Sequence, residues 1–311
     1  MPSLVRRRLM GKIMRMRNKE MEKRDLKKLC SLVIKWAEGA GTITARHQRK
    51  LSSLHISRKV ALGVVSEADV ASEEYLLKKM RKIYKGDNIL AEESSYHSHG
   101  GKGANLESFK NSEWCWAVDP LDGTTNFLNG MDYYSIAISL MYFGRPVLGV
   151  VYRPSNGDCF YAYEGGGAYF LNMRDKKRPM KLIPRRNTKN IRDTLLVTGF
   201  AGEKGQTLLS EFTYFRKLVQ SARGVRRLGS AALDLCYVAR GTFDGFWESG
   251  LGPWDVAAAG IICLEAGVHV ADYKGNEFSP FESSIIAARL PLFNSLLKYI
   301  RHGRKKRKSV G

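Results

Sequence analysis

The densest group of chemically capable residues lies at positions 119–127, where the chain reads DPLDGTTNF. The apolar run Trp114–Val118 predicts a buried strand that ends at Asp119, and Pro120 removes a backbone donor directly after it. A tight turn would bring Asp122 to the same point as Asp119. Two converging carboxylates repel each other unless a cation lies between them, and hard oxygen ligands suit Mg²⁺. The string therefore predicts a magnesium site.

A phosphate cradle is predicted beside these carboxylates. Gly123, Thr124 and Thr125 present backbone N–H groups at a predicted helix start, the position where proteins commonly bind phosphate. Carboxylates that hold a hard cation next to a phosphate cradle describe metal-assisted phosphoryl hydrolysis. The alternative is a structural Asp turn followed by an N-cap threonine. The coincidence of turn, ligands and cradle in one string favours function.

The elements that must position this string follow from the apolar periodicity of the first half. It predicts a helix from Asp25 to about Gly39, ended by Gly39 and Gly41, and a second helix that opens at Ser66–Asp69. A short strand ends at Glu92, residues 95–112 read as a surface loop, and residues 134–163 read as an antiparallel meander.

The second half changes to an alternation of strands and helices. Strands are predicted near 195–197, 245–247, 268–270 and 285–287, and helices over 205–221, 229–239, 253–266 and from about Pro291. Gly165–Gly167 follows a strand and predicts a hairpin turn rather than a nucleotide cradle. The different order of helices and strands in the two halves indicates layered α and β structure in two subdomains.

Several separated motifs resemble the inositol monophosphatase family of Mg²⁺-dependent phosphatases. Besides the DPLDGTTNF string, they are Ala91–Ser94 (AEES), Gly252–Ala257 (GPWDVA), Asp69 in the segment VSEAD, and Gly229–Ala232 (GSAA) with Glu248. Their order and spacing agree from about residue 25 to residue 300. The resemblance implies an α+β fold, a layered α/β/α/β/α sandwich with an antiparallel meander sheet in the first half and mixed α/β structure in the second.

The resemblance also implies two to three Mg²⁺ ions and the residues that would bind each of them. One ion would be held by Glu92, Asp119 and the backbone carbonyl of Leu121, and a second by Asp119, Asp122 and Asp255. Asp69 would support a third, weaker ion. Glu92 and Thr124 would position the attacking water. The residues implied to contact substrate are Asp122, Gly123, Thr124, Thr125, Gly229, Ser230, Ala231, Glu248 and Asp255.

Each of these acids has a structural alternative when it is considered alone. Glu92 is typical of a solvated loop, and Glu248 of a solvated strand end. Asp255 is a favourable first-turn residue of a helix, and Asp69 is a plausible plain N-cap. The motifs together favour the metal-binding interpretation.

The expected function is hydrolysis of inositol monophosphate by a Mg²⁺-dependent, lithium-sensitive phosphomonoesterase that forms a homodimer. Histidinol phosphate, fructose 1,6-bisphosphate and phosphoadenosine phosphate are alternative small phosphate-ester substrates of the same fold. A hypothesis of another class is a regulator that retains the phosphatase body and binds nucleic acid through basic tails.

The net charge of +21 over 311 residues is concentrated in three segments. Residues 1–30 carry 11 basic and 3 acidic residues, residues 174–193 carry 9 and 2, and residues 298–311 carry 7 and none. The rest of the chain is then close to neutral, so general basicity does not explain the body of the protein. The basic ends are accessory features: solvated tails, a nucleic-acid patch, an organelle address at the Arg-rich start, or a nuclear address near residues 304–308.

The domain organisation predicted from these patterns has four parts. They are a basic N-terminal tail (1–24), an α+β subdomain with the metal site (25–190), an α/β subdomain (191–300) and a basic C-terminal tail (301–311). Five scattered cysteines without paired spacing predict buried, reduced thiols and a cytoplasmic protein. No uncharged apolar run reaches the length of a membrane span.

Overall fold

The computed structural model describes most of the chain in several stretches. They are residues 23–51, 56–59, 63–84, 88–94, 106–175, 177–183, 188–200 and 205–305. The first two strands, β1 (Ile56–Lys59) and β2 (Gly63–Ser66), pair with each other in an antiparallel hairpin. Residues 1–22 and 306–311 of the two predicted tails lie outside these stretches, as do residues 95–105 of the predicted loop. Residues 301–305 belong to a helix and not to a tail.

A seven-stranded sheet is built almost entirely from the first half of the chain. Its strands are β3 (Ile89–Ala91), β4 (Trp114–Asp122), β5 (Ser135–Tyr142), β6 (Arg145–Arg153), β7 (Asp158–Tyr163), β8 (Gly167–Asn172) and β9 (Met180–Lys181). They are ordered in the sheet as they are in the chain. Only the β3–β4 pair is parallel, and every later neighbour is antiparallel. The predicted meander is therefore confirmed, with the hairpin turn at Gly165–Gly167 joining β7 to β8.

A five-stranded mixed sheet forms from the second half. Its strands are β10 (Leu195–Thr198), β11 (Gly224–Arg226), β12 (Gly245–Ser249), β13 (His269–Ala271) and β14 (Ser284–Ala288), in the order β11-β10-β12-β14-β13. β10 is parallel to both of its neighbours, whereas β14 is antiparallel to both of its own. Four of these strands agree with the sequence prediction, and β11 was not predicted.

Helices cover both sheets and fill the space between them. They are α1 (Lys23–Gln48), α2 (Glu67–Arg81), α3 (Leu106–Lys110), α4 (Thr124–Leu128), α5 (Gly205–Ser221), α6 (Ala231–Arg240), α7 (Pro253–Glu265) and α8 (Leu292–Lys305). α1 and α2 pack on one face of the large sheet, α6 and α7 lie between the sheets, and α5 and α8 cover the outer face of the small sheet. This arrangement is the predicted five-layer sandwich.

Helix α1 continues well past the glycines that were predicted to end it. It runs through Gly39 and Gly41 to Gln48. A Cβ at Gly39 would overlap the phenol of Tyr75, and one at Gly41 would overlap the ring of Tyr152. The glycines are therefore needed for close packing of the helix against its neighbours, and the surrounding tertiary contacts override their weak helix propensity.

Two further observations concern the chain as a whole. The five cysteines are buried and none is paired with another, as predicted. Among the helices in the described stretches, none combines the length and the apolar character needed to cross a membrane.

Candidate active site

A β-bulge turns two carboxylates toward the same point near the end of β4. Asp119 lies opposite Ala137 and Asp122 lies opposite Ser135, so three steps along β4 face two steps along β5. Side chains three apart in a regular strand would face opposite sides of the sheet, and the extra residue of a bulge corrects this. Pro120 lies in the bulge, where the ladder does not require its missing N–H. The tight turn predicted after Asp119 is thus a bulge inside a longer buried strand.

The two carboxylates are held by neutral donors. Asp119 accepts a hydrogen bond of 2.9 Å from the backbone N–H of Leu121. Asp122 accepts bonds from the hydroxyls of Ser135 (3.0 Å) and Ser230 and from the N–H of Ala232 (3.1 Å). Both carboxylates are buried. Because these donors are neutral, they orient the side chains without neutralising the charges.

The third carboxylate comes from the start of α7 in the other half of the chain. Asp255 accepts a 2.6 Å hydrogen bond from the N–H of Gly252, and Pro253 occupies the first turn. Asp255 is therefore a first-turn residue of the helix, as its structural alternative predicts, and it forms part of a capping box. The same geometry also aims the side chain at the bulge, so the cap fixes the position of a carboxylate that belongs to the site.

Asp119, Asp122 and Asp255 form one compact cluster. Each offers a carboxylate oxygen, and these oxygens lie within 4.8 Å of one another. Within the described stretches no lysine or arginine forms an ion pair with any of the three. Burial, followed by the neighbouring acids, raises the pKa of Asp119 and of Asp255 well above the ordinary value for aspartate. Such a cluster is unfavourable at neutral pH without a cation.

Glu92 lies just beyond the end of β3, beside the cluster. It is not among the three residues with oxygens within 4.8 Å of one another. Its charge nevertheless contributes, after burial, to the raised pKa values of Asp119 and Asp255. β3 is parallel to β4, with Ala91 opposite Val118, so the adjacent strand ends place Glu92 and Asp119 side by side. The pairing supports the predicted role of Glu92.

Thr124 and Asp69 form a linked pair next to Leu121. The Thr124 hydroxyl lies 3.0 Å from Oδ1 of Asp69 and 3.1 Å from the carbonyl oxygen of Leu121. The other oxygen of Asp69 accepts bonds from the N–H (2.9 Å) and the hydroxyl (2.6 Å) of Ser66. Ser66 is the N-cap of α2, so Asp69 is the third helical residue of a capping box and not the N-cap itself. Burial raises the pKa of Asp69 to about 6.

The predicted phosphate cradle is a crowded meeting point of three backbone segments. Gly123 has φ +93°, and a Cβ there would lie 3.1 Å from the carbonyl oxygen of Gly229 and 3.2 Å from that of Tyr133. Only glycine combines that conformation with that approach. Thr124 begins the short helix α4 and the side chain of Thr125 is exposed. Gly123 and Gly229 are therefore close together, and Thr124 follows Gly123 directly in the chain.

The remaining predicted substrate contacts come from α6 and β12. Ser230 is the N-cap of α6 and Ala231 its first residue, and the bond from Ser230 to Asp122 brings this turn to the cluster. Glu248 lies on β12 and is buried. Burial, then the charges of Asp234, Asp255 and other acids, raises its pKa well above the ordinary value for glutamate. Glu248 therefore faces the same acidic region and is not a solvated strand end.

Several buried polar residues that organise the site were not predicted. The side-chain amide of Asn126 donates to the carbonyl oxygens of Tyr133 (2.8 Å) and Leu228 (2.7 Å), which joins the cradle to the turn before α6. Ser72 and Glu73 on α2 bond to the backbone beside Asp119 and Glu92. Ser72 and Glu73 could have been found from the sequence, because both fall on the stripe of α2 that carries apolar core residues.

The five-layer sandwich and the carboxylate cluster define a class of layered α/β/α/β/α proteins with an acidic site at a strand end. Residues 25–304 match the model of the inositol monophosphatase family. The chain therefore belongs to the inositol monophosphatase family, and the resemblance seen in the motifs is confirmed.

Three similar proteins show how far this relationship extends. "Nus factor SuhB" of Pasteurella multocida is 35% identical over 272 residues, which cover 88% of this chain and 95% of that protein. "Inositol-1-monophosphatase" of Mesorhizobium japonicum is 34% identical over 278 residues, covering 88% and 96%. The crystal structure of "extragenic suppressor protein suhB" from Bartonella henselae superposes with a TM-score of 0.75 at 30% identity, covering 91% of this chain and 100% of that one.

Proposed function

We propose that this protein is a Mg²⁺-dependent phosphomonoesterase that hydrolyses inositol monophosphate or a closely similar polyol phosphate. The observation that carries the proposal is the cluster of Asp119, Asp122 and Asp255, of which the first two are buried and the third is partly buried. Within the described stretches no cationic side chain forms an ion pair with it. A relative that is 34% identical is named an inositol-1-monophosphatase, which supports the same substrate class.

The residues present fit a hard divalent cation. The donor set consists of carboxylate oxygens, with the Leu121 carbonyl adjacent, and lacks the cysteine or histidine that softer metals prefer. Glu92, Asp119 and the Leu121 carbonyl would hold one Mg²⁺, and Asp119, Asp122 and Asp255 a second. Both oxygens of Asp69 already accept hydrogen bonds, so it would contribute most simply by orienting Thr124.

The protein groups around this cluster would divide the work of phosphate hydrolysis. Bound Mg²⁺ would supply Lewis-acid activation of water and offset the charge that develops on the leaving oxygen. Glu92 and the Thr124 hydroxyl would orient the attacking water. The backbone N–H groups of Gly123 and Thr124 would hold the phosphate oxygens, and Glu248 would accept a hydrogen bond from a hydroxyl of the polyol.

A panel of four substrates tests this function. We expect Mg²⁺-dependent phosphate release with the highest kcat/KM on inositol monophosphate, and lower values on histidinol phosphate, fructose 1,6-bisphosphate and phosphoadenosine phosphate. Added Li⁺ should inhibit the reaction, and EDTA should reduce it to background. Full activity in EDTA would contradict metal dependence, and a higher kcat/KM on another member of the panel would reassign the substrate.

A second candidate function is binding to nucleic acid through the basic ends, and it is favoured by the relatives named Nus factor SuhB. The full chain is expected to bind RNA with an affinity that falls steeply with salt, because Lys and Arg release counterions from phosphates. Deleting 1–22 and 306–311 removes seven basic residues from the N-terminal end and three from the C-terminal end. It leaves every described helix and strand intact. Loss of RNA affinity with unchanged hydrolysis would support this function, and equal affinity of both forms would exclude the deleted segments as its source.

The homodimer and the cytoplasmic location belong to the same proposal. The buried, unpaired cysteines support a reducing compartment such as the cytoplasm. The organelle and nuclear alternatives depend on segments at the two ends that lie outside the described residues.

A further inference from the structure

The face of α2 that packs on the large sheet carries polar residues where apolar ones would be expected. Asp69, Ser72 and Glu73 are buried in line with Leu76 and Met80 on this stripe of the helix. Burying a carboxylate is costly unless hydrogen bonds compensate for the lost water. The polar part of the stripe therefore calls for a specific role near the start of α2.

Glu73 uses its carboxylate to bind the backbone immediately after Glu92. One oxygen accepts a 2.9 Å bond from the N–H of Glu93, and the other accepts bonds from the N–H (2.9 Å) and the hydroxyl of Ser94. Residues 92–94 form a helical turn whose N–H groups require acceptors. Since both oxygens of Glu73 are occupied in this way, it acts on the backbone and not as a ligand of the cluster.

This contact fixes the backbone that follows Glu92, whereas the sheet fixes the backbone that precedes it. On the other side, β3 pairs with β4 through Ala91 and Val118. β3 has only three residues, so its pairing alone holds Glu92 weakly at the strand end. With Glu73 bound to residues 93 and 94, the backbone is held both before and after Glu92.

The same turn of α2 also holds the second strand end. The Ser72 hydroxyl donates a 2.8 Å bond to the carbonyl oxygen of Pro120, inside the bulge of β4. Ser72 and Glu73 are adjacent in the chain, so α2 sets the separation between the end of β3, which carries Glu92, and the bulge, which carries Asp119.

We propose that Glu73 is a positioning residue, which holds the turn after β3 so that the Glu92 carboxylate faces the Asp119 cluster. The inference rests on the proposed function in assuming that Glu92 and Asp119 bind a shared cation. Partners that orient metal ligands typically contribute about 10- to 100-fold to metal affinity or activity.

The test compares Glu73→Gln with Glu74→Gln in the full chain. The amide at position 73 retains one acceptor and turns the other into a donor that faces backbone N–H groups. The matched control makes the same change at the next residue, whose side chain is exposed. Mn²⁺ affinity in the absence of substrate is measured by calorimetry, followed by kcat, KM and the Mg²⁺ dependence of activity.

The expected result for Glu73→Gln is a loss of about 10-fold or more in Mn²⁺ affinity and kcat, with KM within about threefold. Excess Mg²⁺ should partly restore its activity, which general damage to the fold would not allow. Glu74→Gln should behave as the unmodified protein. Unchanged Mn²⁺ affinity and kcat in Glu73→Gln would overturn the proposal.

Two further outcomes separate this proposal from others. If the unmodified protein hydrolyses no substrate of the panel but Glu73→Gln still weakens Mn²⁺ binding, the proposed function fails and the positioning role holds. If Glu73→Gln does not fold, Ser94→Ala replaces it in the test, because this variant removes a single donor to Glu73. A several-fold loss of Mn²⁺ affinity with an unchanged circular dichroism spectrum would support the proposal, and an unchanged affinity would overturn it.

Discussion

Replacing Asp119 by Asn is expected to abolish phosphate release and at the same time to stabilise the metal-free protein. Asp119 lies at the centre of the carboxylate cluster, and burial together with the charges of Glu92, Asp122 and Asp255 raises its pKa well above the ordinary value. Removing its charge relieves that repulsion. The amide oxygen can still accept the bond from the Leu121 N–H, so the local backbone should be retained.

Activity should fall while the stability of the metal-free protein rises, because the cluster is built to hold a cation. Activity should fall on the order of 10³-fold, since a bound metal contributes several kcal/mol and about 1.4 kcal/mol is a factor of ten in rate. In EDTA the melting temperature should rise by about 2 °C or more, since 1 kcal/mol corresponds to roughly 2–4 °C in chains of this order of size. In saturating Mg²⁺ the variant should instead melt at a lower temperature than the unmodified protein, because it loses the stabilisation that ligand binding confers.

Differential scanning fluorimetry in EDTA and in Mg²⁺, together with a phosphate-release assay, measures both effects. The matched control is Asp193→Asn, which makes the same change at an exposed aspartate outside the site. It should leave activity and both melting temperatures unchanged. A lower melting temperature for Asp119→Asn in EDTA would show that the carboxylate stabilises the fold, contrary to the electrostatic argument.

Most of the fold could be predicted from the sequence because glycine and proline residues mark many of the turns and helix ends. Gly144-Arg145-Pro146 and residues 154–157 mark the turns of the meander, and Pro253 and Gly267 bracket α7. The extent of α1 could not be predicted, because nothing local distinguishes a glycine that ends a helix from one that admits Tyr152. Strand β11 was missed because it has three residues and none of them is fully buried.

The candidate site was predicted less completely than the fold. Asp119, Asp122 and Asp255 were named correctly as neighbours, since the first two share one string and the third was supplied by the resemblance. The bulge that brings the first pair together depends on pairing with β5, which the string does not contain. The contacts of Glu73 with residues 93 and 94 likewise join positions 20 and 21 residues apart in the chain, which helix periodicity alone does not relate.

The stabilisation of the protein by Mg²⁺ is expected to grow as the pH rises through about 6. Burial raises the pKa of Asp122 to about 6, while the hydroxyls of Ser230 and Ser135 and the N–H of Ala232 lower it in part and Glu92 raises it. Asp69 also reaches about 6, mainly through burial. Each aspartate therefore holds its proton more tightly in the folded protein than in the unfolded chain, where the ordinary value is about 3.9.

The sign of the pH effect follows from linkage. Between about pH 4 and pH 6 the folded state binds more protons than the unfolded state at these two groups, so their contribution favours folding at low pH and is lost as the pH rises through about 6. Mg²⁺ requires the deprotonated carboxylate of Asp122, so protons compete with it below this value. The cation should thus restore stability in the pH range where the metal-free site loses it.

Melting temperatures with saturating Mg²⁺ and with EDTA, compared from about pH 5 to about pH 8, test this coupling. At about pH 8 a Mg²⁺ concentration 100-fold above Kd should add about 2.7 kcal/mol, and the increment should shrink at about pH 5. NaCl at matched ionic strength controls for general screening. Asp122→Asn should remove most of the increment at every pH, because the variant lacks one carboxylate of the cluster. An increment that is equal at both ends of the range would mean that the cation binds somewhere other than these buried carboxylates.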